Sequence, residues 1–327
     1  MTPFSAATTL RRMSRALGVA AAVALMGTTA APTAAATALP ERYQFFAGIG
    51  DELANPGGSQ PGTNDFDCTP APAHPNPVVL VHGTGGSRQT NWSAYAPMLK
   101  NQGYCVFALT YGTLPGQWPL SSLGGMLRME DSAAQLATFV DRVLAATGAR
   151  KVDIIGHSQG TLMPNYYAKY LGGAAKIDKY IALGPVWQGA GLLGYDVLTQ
   201  FARGLGIPDG ELPICAACGQ LAPDSEFIAA INANGGPYVP GIEYVNIITR
   251  LDDPFVGEMP TAPDTRNVVV QEGCPTHVVD HAHLAGSRRA AILVSNALDP
   301  NHQQPVPCEH AVLYWARFPE PGAASLP

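Results

Sequence analysis

The chain has 327 residues, of which 46% are hydrophobic and only 13% charged, with 35 glycines, 29 prolines and a formal net charge of −6. Low charge with abundant Gly and Pro excludes a coiled or disordered chain and fits a compact body with many shaped loops. The acidic balance argues against nucleic acid or an anionic membrane surface as a partner.

Arg11, Arg12 and Arg15 precede an apolar run from Leu17 to Met26, and small residues follow to Ala34-Ala35-Ala36. This order predicts a secretory signal peptide over residues 1–36 and so an exported protein. The apolar run is about half the length of a bilayer span, and no later segment is both long and unbroken, so stable membrane insertion is not expected. Without residues 1–36 the formal charge moves from −6 to −9, and about 290 residues remain, enough for one large α/β domain. A monomer is expected. Six cysteines in an exported chain read as three disulfides, although counting alone leaves their pairing open. Cys215 and Cys218 form a C-x-x-C with no second such pair nearby, so a small-loop disulfide is expected rather than zinc or redox chemistry.

Residues 37–76 are rich in Gly, Pro, Asn and Ser, as in Asn55-Pro56-Gly57-Gly58-Ser59, and read as an extended strap. From residue 77 onward, short apolar runs alternate with amphipathic helices, which predicts a catalytic unit over 77–327. Strands are expected at Val78 to Val81, Cys105 to Thr110, Val152 to Ile155, Tyr180 to Leu183, Tyr244 to Ile248 and Val268 to Val270. Apolar runs without alternation suit a parallel sheet covered on both faces. Leu136, Phe139, Val140, Val143 and Leu144 mark one face of a helix that should stop at Gly148. Strand alternating with helix predicts an α/β fold with a mostly parallel, doubly wound sheet, which binds ligands beyond the carboxyl ends of its strands.

Directly after the first strand stands His82-Gly83-Thr84-Gly85-Gly86, a glycine-rich loop able to aim backbone N–H groups at a developing oxyanion. It lacks the Lys and Ser/Thr that close a phosphate-binding loop. Gly156-His157-Ser158-Gln159-Gly160 lies between a buried strand and a helix, where a nucleophile elbow needs glycines two residues before and two after the serine. Ser158 is the expected nucleophile, and the N–H groups of Thr84 and Gln159 form the expected oxyanion hole. Residues 186–207 carry Trp187, Leu192, Leu193, Tyr195, Val197, Leu198, Phe201 and Leu205, which read as a core helix or as a lid whose apolar side lines an acyl cleft.

A serine needs a base and an acid, in the chain order Ser, Asp/Glu, His. The strand ending at Ile248 runs into Thr249-Arg250-Leu251-Asp252-Asp253, so either aspartate qualifies. After Val268 to Val270 come His277, His281 and His283, and position alone does not choose among them.

At this point the sequence resembles the secreted bacterial class 2 triacylglycerol lipases of the α/β-hydrolase superfamily. The resemblance covers about residues 77–308 and rests on Val79-Leu80-Val81-His82-Gly83-Thr84-Gly85-Gly86, Asn91-Trp92, Gly103 to Leu109, the Ser158 pentapeptide with Pro164-Asn165-Tyr166-Tyr167, and Cys215-x-x-Cys218. It implies an α/β-hydrolase fold, Asp252 as the acid and His281, which follows Asp280, as the histidine. It also implies the disulfides Cys68–Cys105, Cys215–Cys218 and Cys274–Cys308. Two departures bear on the acyl pocket: Thr161 stands where the family usually has another glycine, and Gly184-Pro185-Val186-Trp187-Gln188-Gly189 replaces a Pro-Pro-Asn-His-Gly-Thr pattern.

The expected chemistry is hydrolysis of lipid or other water-insoluble carboxylic esters through an acyl-enzyme, with no metal and no cofactor. A secreted acyltransferase or a polyester-degrading esterase would use the same triad. A non-catalytic binding protein on this fold would be expected to have lost a triad member.

Overall fold

The computed structural model describes residues 37–190, 203–204, 206–252 and 259–309. The expected signal peptide lies outside them. So do Asp253 and most of the expected lid, including Leu192, Leu193, Tyr195, Val197, Leu198, Phe201 and Leu205.

Among the described residues six strands form one sheet: β1 (Val78–Val81), β2 (Val106–Leu109), β3 (Val152–His157), β4 (Ile177–Leu183), β5 (Glu243–Ile248) and β6 (Thr265–Val269). Their order is β2-β1-β3-β4-β5-β6, and every neighbouring pair is parallel. This is the α/β-hydrolase arrangement expected from the alternating pattern. The chain moves to β2 on one side of β1 and then returns to β3 on the other, so the loops after β1 and β3 leave the sheet at its topological switch point.

Alternate residues of each strand feed opposite faces. Val79 and Val81 pack with the buried faces of α3 (Met129–Thr147) and α4 (Gln159–Tyr170), while Val78 and Leu80 pack with α2 (Tyr95–Asn101) and α7 (Arg288–Leu298). Helix α3 buries Leu136, Val140 and Val143 and ends at Gly148, as its spacing requires. Two short helices, α5 (Ala216–Gln220) and α6 (Glu226–Asn232), follow the undescribed segment. β6 begins earlier than its apolar run, at Thr265, because among the described residues it pairs on one side only, and partly exposed Thr265, Arg266 and Asn267 are tolerated there.

The strap departs from the extended expectation. It contains helix α1 (Ala47–Ala54), preceded by Phe45. Farther on, Asn64 behaves as a short edge partner for β2: its Oδ1 accepts from Ala108 N at 2.9 Å and its Nδ2 donates to Ala108 O at 2.9 Å.

The cysteines pair as Cys68–Cys105, Cys215–Cys218 and Cys274–Cys308, with Cα separations of 5.8, 5.3 and 5.3 Å. Closing a loop of 34 residues should stabilise the fold by about 3–4 kcal/mol through the unfolded chain. Urea unfolding of the Cys274→Ser, Cys308→Ser double variant should show that loss. A midpoint equal to wild type would show that the bridge contributes nothing.

Candidate active site

Ser158 sits at the turn between β3 and α4 with φ 56° and ψ −124°, a conformation that a side-chain-bearing residue adopts only when its surroundings enforce it. The two glycines make the turn possible by close approach. A Cβ on Gly156 would overlap the Gly160 carbonyl, and one on Gly160 would overlap the Val81 and His82 carbonyls. Thr161, at the position of the first family departure, binds the elbow from below: its N and Oγ1 both donate to Ser158 O, at 2.8 and 2.7 Å.

The loop after β5 brings Asp252, and the loop after β6 brings His281. Ser158 Oγ lies 2.8 Å from His281 Nε2, and His281 Nδ1 lies 3.1 and 3.0 Å from the two Asp252 oxygens. Asp252 is buried, while the His281 side chain is a quarter exposed, so the ring opens to a cleft with its partner carboxylate behind it. The other two histidines face elsewhere. His277 is buried between Ser287 Oγ and Glu309 O, both at 3.0 Å, and His283 Nδ1 takes Asp280 Oδ1 at 2.6 Å.

The glycine-rich loop after β1 packs directly on the serine; a Cβ on Gly83 would stand 3.0 Å from Ser158 Cβ. Thr84 Oγ1 donates to Gln159 Oε1 at 2.6 Å, which ties this loop to the first residue of α4. Among the described residues neither the Thr84 N–H nor the Gln159 N–H donates to another group, so both remain available beside Ser158. Gln159 opens the helix, where backbone donors are unsatisfied and the dipole favours negative charge.

His157 and His82 were quoted only as parts of motifs, and the structure gives them specific surroundings. Burial drives His157 down to about 3 and His82 down to about 4, so both rings are neutral. A neutral His157 has one N–H. Its Nε2 faces the His281 carbonyl at 3.0 Å and must donate, which leaves Nδ1 as an acceptor, 3.1 Å from the Asn91 amide at the position of Oδ1. Turning the Asn91 amide over, which exchanges its oxygen with a nitrogen otherwise buried without a partner, supplies the donor that Nδ1 requires. The link holds the backbone of His281, and no local sequence signal marks it because Asn91, His157 and His281 are far apart in the chain.

A cleft of about 510 Å³ opens above Ser158 and His281, within the roughly 300–1,000 Å³ usual for small-molecule sites. Its apolar lining includes Phe45, Ile49 and Leu53 from the strap and Trp118, Pro119 and Leu123 from the segment after β2. The described part of the expected lid does not reach it. Val186 and Trp187 are buried in the core, with Trp187 Nε1 donating to Asn246 Oδ1 at 3.0 Å and its ring against Tyr180, Tyr238 and Tyr244. Val186 and Trp187 are therefore core, because the tryptophan finds an apolar pocket and a buried acceptor there, while Gln188 is exposed. Among the described residues no group of three or more His, Cys, Asp or Glu is placed to hold a metal, and no helix is long and apolar enough to cross a membrane.

Residues 75–287 match the model of the family described as lipase (class 2). Over 97 residues the chain is 35% identical to a triacylglycerol lipase of Pseudarthrobacter phenanthrenivorans, which covers 28% of this chain and 28% of that protein. It is equally identical over 97 residues to a triacylglycerol lipase of Burkholderia plantarii, covering 28% and 25%. The matched segment thus spans little more than a quarter of these relatives. Among solved structures, Aspergillus fumigatus lipase B superposes with a TM-score of 0.54 at 19% identity, over 76% of this chain and 57% of that one, which is a likeness of fold.

Proposed function

The chain belongs to the lipase (class 2) family, and on that premise we propose that it is an exported lipid ester hydrolase acting through an acyl-enzyme on Ser158. The observation that carries this reading is the continuous contact from Asp252 through His281 to Ser158 Oγ at the switch point of the sheet.

In the proposed cycle Ser158 Oγ attacks the ester carbonyl carbon while its proton passes to His281 Nε2. The imidazolium so formed donates Nδ1–H to the Asp252 carboxylate. Neutral His157 matters at this moment, because a second positive ring beside His281 would oppose its protonation. The negative charge that develops on the carbonyl oxygen is received by the N–H groups of Thr84 and Gln159. Collapse breaks the bond to the alcohol, which leaves with the proton from Nε2. Water then attacks the acyl-enzyme carbonyl and gives its proton to His281 Nε2; collapse breaks the bond to Ser158 Oγ, which takes that proton back as the acid is released.

Residues 1–36 act as the export signal in this reading, residues 37–76 as a strap on the catalytic unit, and the three cysteine pairs suit an oxidising compartment. The acyl group occupies the apolar cleft, and the acyl-enzyme is resolved by water. The test is turnover of p-nitrophenyl butyrate and of an emulsified triacylglycerol by the purified protein, together with labelling by an alkyl fluorophosphonate. Hydrolysis of both substrates, with one label per chain located on Ser158, is expected. A protein that turns over no ester and takes no label would end the proposal.

A further inference from the structure

The family model begins at residue 75, yet Phe45, Ile49 and Leu53 line the cleft from outside that range. They recur at i, i+4 and i+8, which places them along one side of α1 and its entry turn. Ile49 and Leu53 are 44% and 63% exposed, and Trp118 and Leu123, also lining the cleft, are 42% and 39% exposed. Four large apolar side chains open to solvent around one cleft call for an apolar occupant. The occupant is specified by continuity, since the same cleft is lined by Ser158 and His281.

Helix α1 is held as a rigid piece. Gly48 lies so close to the 89–90 loop that a Cβ there would stand 2.6 Å from the Gln89 carbonyl, and nearer still to that of Thr90. Asp51 pairs with Arg42 and accepts from Gln60 Nε2 at 2.7 Å, and the same Nε2 donates to Gln89 O at 2.7 Å. Glu52 Oε1 accepts from Gly57 N at 2.7 Å and closes the turn that follows the helix. Polar clamps at a glycine contact give a wall of set position, in contrast to a lid that swings on a hinge.

The wall also has a direction. The Phe45 ring stands 6.3 Å from the ring of His157, the residue before Ser158. From Ile49 to Leu53 the helix advances one turn, about 6 Å. We propose that α1 is a fixed acyl-binding wall that selects esters by chain length, with Phe45 beside the reacting carbon, Ile49 meeting chains of middle length and Leu53 only longer ones. This rests on the reading of Ser158 as the site of ester hydrolysis.

The test measures kcat/KM for dissolved p-nitrophenyl butyrate, octanoate and dodecanoate. In Leu53→Ser the dodecanoate-to-butyrate ratio should fall about tenfold and the octanoate-to-butyrate ratio by less than about threefold. In Ile49→Ser the octanoate-to-butyrate ratio should fall about tenfold as well. Leu171→Ser, an exposed apolar position outside the cleft, should leave both ratios where they were. Equal losses across the three esters, or ratios that do not move, would overturn the wall. So would an effect seen only on an emulsion, which would make α1 a lipid-surface contact instead. If the wild-type protein hydrolyses none of the three esters, the hydrolase reading falls together with the wall; if it hydrolyses all three and only the ratios fail to respond, the wall alone falls.

Discussion

Replacing Ser158 by alanine should reduce kcat on p-nitrophenyl butyrate by about 10⁴ to 10⁶ while the protein stays folded. Its Oγ is the atom aligned with His281 Nε2 at 2.8 Å, and removing a nucleophile leaves only the contribution of binding and of the oxyanion donors. The backbone of the elbow does not depend on that hydroxyl, since Thr161 holds it through Ser158 O, so stability should change by no more than about 1 kcal/mol. Steady-state rates and a thermal melt of the same preparation separate the two effects. Activity retained above about a tenth of wild type in a folded variant would move the nucleophile elsewhere.

The second large effect is expected at Asp252. Both of its oxygens lie near His281 Nδ1, so the carboxylate is an acceptor for Nδ1–H and fixes the tautomer in which Nε2 is free to take the serine proton. In Asp252→Asn the amide nitrogen is a donor and can turn toward Nδ1. The ring then carries its proton on Nε2, where it cannot accept from Ser158. A loss of about 10⁴ in kcat follows by analogy with the same exchange in other Ser-His-Asp sites. Asp280 provides the control, because its Oδ1 is taken by His283 Nδ1 and by the His283 N–H, and Asp280→Asn should cost far less. A loss below about tenfold in Asp252→Asn, or the larger loss in Asp280→Asn, would assign the acid differently.

How far the sequence carried follows from which constraints are local. The elbow was legible because its requirements fall within five residues: two glycines where a side chain would overlap a carbonyl, and a serine between a buried strand and a helix. The parallel sheet was legible for a similar reason, since strands buried on both faces must be apolar throughout, and Val78 to Val81 and Ile154 to Ile155 are. The edge strand β6 was read short because an edge relaxes that demand. The partners of the serine were open on the residues alone: three histidines lie within seven positions, and only the resemblance to a family chose one.

Tertiary structure decided what depends on distant contacts. It places His281 against Ser158, 123 residues away, and turns His277 and His283 to other partners. It joins Asn91 to His157 and His157 to the His281 carbonyl, a link that no spacing encodes. It also brings apolar residues to the cleft from a stretch where the sequence suggested none. Residues 186–207 read as a core helix or as a lid; Trp187 is drawn into the core by a buried acceptor on Asn246, while Leu192 to Phe201 lie outside the described residues. Ile49 and Leu53, in a stretch dominated by turn residues, line the cleft because α1 is clamped onto the loop at Gln89 and Thr90. Local backbone sterics determined the elbow and the strands from sequence; packing between segments far apart in the chain determined which side chains meet at the serine.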